Sequence, residues 1–146
     1  MQVLVDEGMP VQLIEPLRRN RGHSFDHIDE LRWKGRLDQP LFREASSRGY
    51  EAILTLDVNQ LSDAEECRAL RRSRLHHVSI QQGRSVRGLK GLARVMASVI
   101  AAMPYVLEDL EYAPGQRIVE LSLLSAGRRH QTFDPREEPT RYPYWR

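Results

Sequence analysis

An α/β fold built on a mainly parallel sheet is what this chain predicts, and three observations support it. Two apolar runs, "VLVDE" at 3–7 and "AILTLD" at 52–57, each stop on an acid, as strands covered on both faces do when they leave the core. Segments of helical spacing lie between and beyond them, so strands and helices alternate over the first hundred residues or so. The chain has 146 residues and is 40% apolar. That is enough for one domain with a real core, which at this size buries roughly 70% of the unfolded surface.

The elements follow in order. Residues 3–5 are the first strand. Pro10 is a permitted helix start, and Val11, Ile14 and Leu17 recur at helical spacing until residues 20–22 end the helix. Pro16 within it removes one hydrogen bond and kinks or shortens it. Residues 23–28 suit a second strand. Asp38-Gln39-Pro40 opens the next helix, Leu41, Phe42 and Ala45 give its apolar stripe, and Gly49 closes it. After the strand at 51–57, residues 64–74 read as helix and 75–80 as strand. Residues 86–103 form a long amphipathic helix, with Leu89, Leu92, Ala93, Met96 and Ile100 on one side and Arg87, Lys90 and Arg94 on another. Its apolar side serves either as core or as a dimer seam. Residues 117–124 and 128–133, joined by Ser125-Ala126-Gly127, read as a C-terminal hairpin. A single domain over 1–133 then gives way to a proline-rich, charged tail at 134–146.

Composition narrows the chemistry. With 22 basic and 20 acidic residues the net charge is +2, which leaves room for a basic face beside an acidic spot and permits a polyanionic partner. A lone Cys67 excludes an internal disulfide and a cysteine-based zinc site and favours a reducing compartment. The first apolar run is too short for a signal peptide, and the apolar stretch at 92–103 is interrupted by Arg94 and Ser98 and is too short to span a bilayer. A soluble cytoplasmic protein with no membrane partner is the expectation.

Residues just past the carboxyl ends of parallel strands meet in one crevice. Asp6, Glu7 and Asp57 each follow such a strand, and Asp38 heads a helix that points toward the same place. Carboxylates gathered there do not all stay ionised unless a cation is shared, and hard oxygen donors select Mg²⁺ or Mn²⁺. Blander readings stand beside this one. Asp38 is also a good N-cap, and Asp57 also begins a turn with Asn59. His23 and His27 are four apart, but in a strand or loop they are structural. His76 and His77, adjacent in a strand, face opposite ways and do not share a metal. Cys67, Ser79 and Ser85 lack any catalytic partner spacing.

The pieces "VLVDEGMP", "GRLDQPLFREASSRGY" and "AILTLDVNQ", in that order and spacing, resemble the PIN-domain nucleases, particularly the short relatives of the VapC-type toxins of bacterial toxin-antitoxin pairs. The resemblance covers about the first eighty residues. It implies a PIN-like three-layer sandwich, Mg²⁺- or Mn²⁺-dependent cleavage of RNA by a metal-activated water attacking in line, with 5′-phosphate and 3′-hydroxyl products. It also implies a homodimer and a small antitoxin partner. Asp6 matches the central metal ligand, Asp38 the helix-borne acid, Asp57 the third acid and Glu7 the acid after the first aspartate. Thr55 would orient Asp57 or the attacking water. The place two after Asp57, commonly acidic in the family, holds Asn59, a neutral oxygen ligand; Asp63 is the nearest later carboxylate.

An RNA substrate needs a basic surface for its phosphates. Arg68, Arg71 and Arg72 share one helical face with Arg74 just beyond, and Arg84, Arg87, Lys90 and Arg94 form a second stripe. Either serves RNA or is simply a solvated face, and Trp33 or Tyr50 would stack a base. Two rival readings remain: a Mg-dependent phosphotransfer or receiver-like domain with Asp57 as phosphoacceptor, and a PIN-like binding module weakened by Asn59.

Overall fold

A computed structural model describes residues 1–33, 35–81, 88–124 and 140–141. Strands β1 (Gln2–Val5), β2 (Ser24–His27), β3 (Ala52–Thr55), β4 (His76–Ile80) and β5 (Ile118–Leu121) form one sheet in the order β2-β1-β3-β4-β5. Every neighbouring pair is parallel. Helices α1 (Ile14–Leu17), α2 (Asp38–Ser47), α3 (Ala64–Ser73) and α4 (Gly88–Glu111) supply the connections, as parallel pairs require.

The apolar runs make sense strand by strand. Val3, Leu4 and Val5, and all four residues of β3, are buried. Alternate side chains go to opposite layers. Val3, Val5 and Leu54 join Leu13, Leu17, Val95, Val99 and Met103 on the α1 and α4 side. Leu4 and Ile53 join Leu41, Phe42, Ala45 and Leu70 on the α2 and α3 side. The result is the three-layer α/β sandwich that the sequence predicts.

Local signals explain the helix limits. Asp63 caps α3 by accepting from the Glu65 and Glu66 N–H groups, both at 2.9 Å, and the acids of the first turn and arginines of the last complement the helix dipole. Gly49 ends α2 at φ +89, where a Cβ would also meet Gln2 Oε1 at 3.0 Å. Asp38, however, is not the N-cap. Leu37 holds that position without a side-chain bond, and Asp38 is the first helical residue. The helix expected from Pro10 is only a 3-10 turn, Val11–Leu13, running into a single α turn. Pro16 lies in that turn, and Val11 is exposed.

Helix α4 departs most from expectation. It continues through Pro104 to Glu111, 24 residues in all, about 36 Å at 1.5 Å per residue. The apolar segment is thus long enough to cross a membrane, contrary to the estimate from residues 92–103 alone. An interior proline costs about 3 kcal/mol. Burial of Val106, Leu107 and Leu110 beyond it, at about 1.5–3 kcal/mol for each large apolar side chain, outweighs that. The buried stripe also differs: Gly91, Val95, Ser98, Val99 and Met103 face the sheet, whereas Leu89 and Ile100 are exposed. A helix apolar around most of its circumference gives periodicity little to choose between.

Within the first expected hairpin arm, β5 pairs parallel to β4, with Val78 opposite Val119. Val86, Arg87, Arg84, Ser85, the second hairpin arm at 128–133 and the tail at 134–146 lie outside the described residues, apart from Thr140 and Arg141.

Candidate active site

Strand order reverses beside β1: β2 lies on one side and β3 on the other. Ligands of open α/β sheets bind at such a switch point, beyond the carboxyl ends of the strands. A cavity of about 400 Å³ opens there, lined by Asp6, Glu7, Arg36, Asp38, Thr55 and Asp57 among others. The acids separated in sequence are therefore brought to one place by the topology.

Each acid is held differently. The Asp6 N–H continues the ladder to the Leu54 carbonyl at 2.9 Å, which fixes the residue at the end of β1. Its carboxylate accepts from the Glu7 N–H at 2.8 Å and from the Thr55 hydroxyl at 2.7 Å. Burial pushes the Asp6 carboxyl up; those two hydrogen bonds oppose the rise, and the charges of Glu7 and Asp57 add to it. The turn after Asp6 closes through Met9 N–H to the Asp6 carbonyl, 3.0 Å. Buried His27 clamps it. The Asp29 N–H donates to Nδ1, so Nε2 carries the proton and donates to the Met9 carbonyl at 2.8 Å. This histidine is structural, as expected, and His23 likewise pairs with the chain's amino terminus at 3.0 Å.

Thr55 departs from its expected role. Fully buried, its hydroxyl orients Asp6 rather than the Asp57 carboxylate, while its oxygen accepts from the Asp57 N–H at 2.9 Å. Asp57 caps the 3-10 turn Val58–Leu61, accepting from the Asn59 N–H at 2.9 Å. The turn reading of Asp57 is thus realised, and Asp57 still lines the cavity. Asn59 is exposed and is not among the cavity's lining residues. Asp63 is occupied as the α3 cap. Exposed Glu7 accepts from the Gly35 N–H at 3.2 Å.

Asp38, at the head of α2, accepts from the Gln60 side-chain N–H at 2.8 Å. Its carboxyl is pushed up to about 6, first by burial and then by the charge of Glu66, with Asp6 and Asp57 contributing and the Gln60 bond opposing. Glu66 is itself raised by burial and by Asp63 and Asp57. Sequence reasoning missed three members of this neighbourhood. Glu66 reads in sequence as a dipole partner in a first helical turn, Gln60 as an ordinary turn residue, and Arg36 as one arginine among many. Arg36 pairs with Glu44 at 3.3 Å and sits 4.9 Å from the Trp33 ring centroid.

The acids do not form a ready-made ligand set: among the described residues no three His, Cys, Asp or Glu side chains stand close enough to hold a metal ion. The donor set nonetheless suits a hard divalent cation. Asp6, Glu7, Asp38 and Asp57 offer oxygens only, and among the described lining residues Arg36 is the one cationic side chain beside them; burial first, with neighbouring carboxylates adding, pushes the Asp6 and Asp38 carboxyls up, and a shared cation would favour their ionised forms.

The basic stripes lie elsewhere. Arg68, Arg71 and Arg72 are on α3, and Lys90 and Arg94 are on α4, across the sheet, so the two stripes are not one surface. None of these five lines the acid cavity. Arg68 pairs with Glu65, and Arg94 donates to the Leu124 carbonyl at 2.5 Å. Arg71 and Arg72 sit in the last turn of α3, the end opposite its acidic first turn. Trp33 and Tyr50 are buried edge to face, 6.2 Å between centroids, with the Tyr50 hydroxyl donating to Asp26 at 2.7 Å, so neither is free to stack a base.

A parallel α/β sandwich with carboxylates grouped at its switch point defines an α/β domain with an acidic site at the strand ends. A family model described as a PIN-like domain matches residues 1–82, more than half of the chain, and the chain belongs to that family. PIN-like domains are generally nucleases and commonly use divalent metals. No curated protein and no solved structure matches it.

Proposed function

We propose that this protein is a Mg²⁺- or Mn²⁺-dependent ribonuclease that hydrolyses RNA phosphodiester bonds in the cytoplasm. The observation that supports it is the shared cavity of Asp6, Glu7, Asp38 and Asp57 at the β1–β3 switch point in a PIN-like domain. These four side chains would hold the ion. When bound, it supplies Lewis-acid activation of a water and offsets charge on the phosphoryl oxygens. Asp6 is the most firmly placed of the donors, gripped by Thr55 and the Glu7 N–H. Arg36, at the cavity wall, gives the phosphate a cation.

The test is cleavage of a panel of single-stranded and structured RNAs with and without Mg²⁺ or Mn²⁺, alongside Asp6→Asn. Metal-dependent products with 5′-phosphate ends, lost in Asp6→Asn, support the reading. Metal-independent cleavage, or none, counts against it. Within this reading the protein is a homodimeric toxin held in check by a small antitoxin, so expression arrests host growth and Asp6→Asn relieves the arrest. That no three acids among the described residues stand close enough to hold an ion directly favours the second reading, a PIN-like binding module, if no RNA is cut.

A further inference from the structure

We infer that Gln60, locked by His77, is the positioning residue that fixes Asp38 in the site. The inference rests on the metal-dependent hydrolase reading above. Gln60 is 1% exposed, and a buried primary amide is costly unless it is hydrogen-bonded. It has two partners, and they come from distant parts of the chain. Its Nε2–H donates to Asp38 Oδ1 at 2.8 Å, and its Oε1 meets His77 Nε2 at 3.0 Å.

The chemistry of the three groups fixes their polarity. A carboxylate only accepts, so the amide must turn its NH₂ to Asp38 and its carbonyl to His77. The carbonyl in turn needs a donor, so His77 carries its proton on Nε2. That leaves His77 Nδ1 buried with no partner. One ring nitrogen is orphaned while the other orients the amide. The two hydrogen bonds point the same way, toward Asp38, and each polarises the next.

A merely space-filling residue would not be an amide here. An apolar side chain of the same volume would fill the turn without desolvating polar atoms, and it would leave Asp38 with Glu66 as its remaining side-chain partner. Asp38 has two side-chain partners, Gln60 in the turn after β3 and Glu66 on α3, and the Gln60 contact ties its position to that turn and, through His77, to β4. The same Val58–Leu61 turn is capped by Asp57, whose N–H in turn bonds the Thr55 that holds Asp6. One short turn thereby sets three acids from three elements relative to one another.

The test uses the full chain as wild type, Gln60→Met, Gln60→Glu and His77→Phe, with Mn²⁺ binding followed by calorimetry, RNA cleavage by steady-state kinetics, and fold by circular dichroism. Gln60→Glu keeps an acceptor for His77, replaces the amide donor and sets a second carboxyl beside Asp38, whereas Gln60→Met removes the donor without adding charge. Both Gln60 variants are expected to weaken Mn²⁺ binding about tenfold or more, as removal of a residue that orients a metal ligand does, and to lower kcat with little change in KM for RNA. His77→Phe should fall in the same direction by a smaller factor. A folded Gln60 variant whose Mn²⁺ affinity falls by less than about tenfold overturns the inference; if Gln60→Glu does not fold, Gln60→Met decides. A wild type that neither binds Mn²⁺ nor cuts RNA overturns the hydrolase reading itself, whereas a wild type that does both beside undiminished variants overturns only the role of Gln60.

Discussion

The Thr55 hydroxyl donates to Asp6 Oδ2 across the β1–β3 junction at 2.7 Å, in a position with no solvent exposure at Thr55. Two strands adjacent in the sheet but far apart in sequence are thereby joined at the acid most central to the cavity. Hydrogen bonds to a charged group contribute more than neutral ones, and this one opposes the upward push of burial on Asp6.

Thr55→Val keeps the shape and removes both roles of the hydroxyl, as donor to Asp6 and acceptor from the Asp57 N–H. The expected cost is about 1–3 kcal/mol, the penalty for a buried polar group left without its partner. The Asp6 carboxyl rises further, because a hydrogen bond that favoured its ionised form is gone. Urea denaturation at neutral pH checks the first statement; an unchanged midpoint would contradict it.

Asp38 gives a pH dependence of definite sign. Its folded-state carboxyl titrates near 6 against an ordinary 3.8, so between those values the folded protein binds the proton that the unfolded chain has released. Stability from this group is present at low pH and is lost as pH rises through about 6. Asp38→Asn should therefore melt higher than wild type at pH 7 and show a flatter stability profile from pH 4 to 6. Thermal melts across that range decide it, and a variant melting lower at neutral pH would refute it.

Pro104 lies exposed inside α4. Pro104→Ala restores a backbone donor and relieves a penalty of about 3 kcal/mol, less the roughly 0.4–1 kcal/mol by which proline restricts the unfolded chain. A net gain of about 2–2.6 kcal/mol is expected from these terms, read as a higher denaturation midpoint. A loss would mean that α4 needs Pro104 to keep Val106 and Leu110 buried.

Gly49→Ala places a Cβ at φ +89 and 3.0 Å from Gln2 Oε1. A left-handed conformation costs an L-residue roughly 1–2 kcal/mol, and the crowding adds to it. The variant should unfold at lower denaturant than wild type, and equal midpoints would show that the α2–β3 corner relaxes freely.

The sequence by itself determined the parallel α/β sandwich and the identity of its acids. Apolar runs that end on Asp6 and Asp57 state both where a central strand leaves the core and which side chain it leaves behind, because burial on both faces disfavours charged residues before that point. The helix stop at Gly49 was equally legible, through a local backbone requirement, whereas the left-handed Arg74 that ends α3 was not. Tertiary structure alone decided how the acids are held and which neighbours complete them. Gln60, Glu66 and His77 join Asp38 only because the β1–β3–β4 order stacks their strands and turns, and no local periodicity encodes a contact made across a sheet. The same holds for α4: its residues are apolar on too many sides for spacing to choose a face, so the sheet beneath it made the choice.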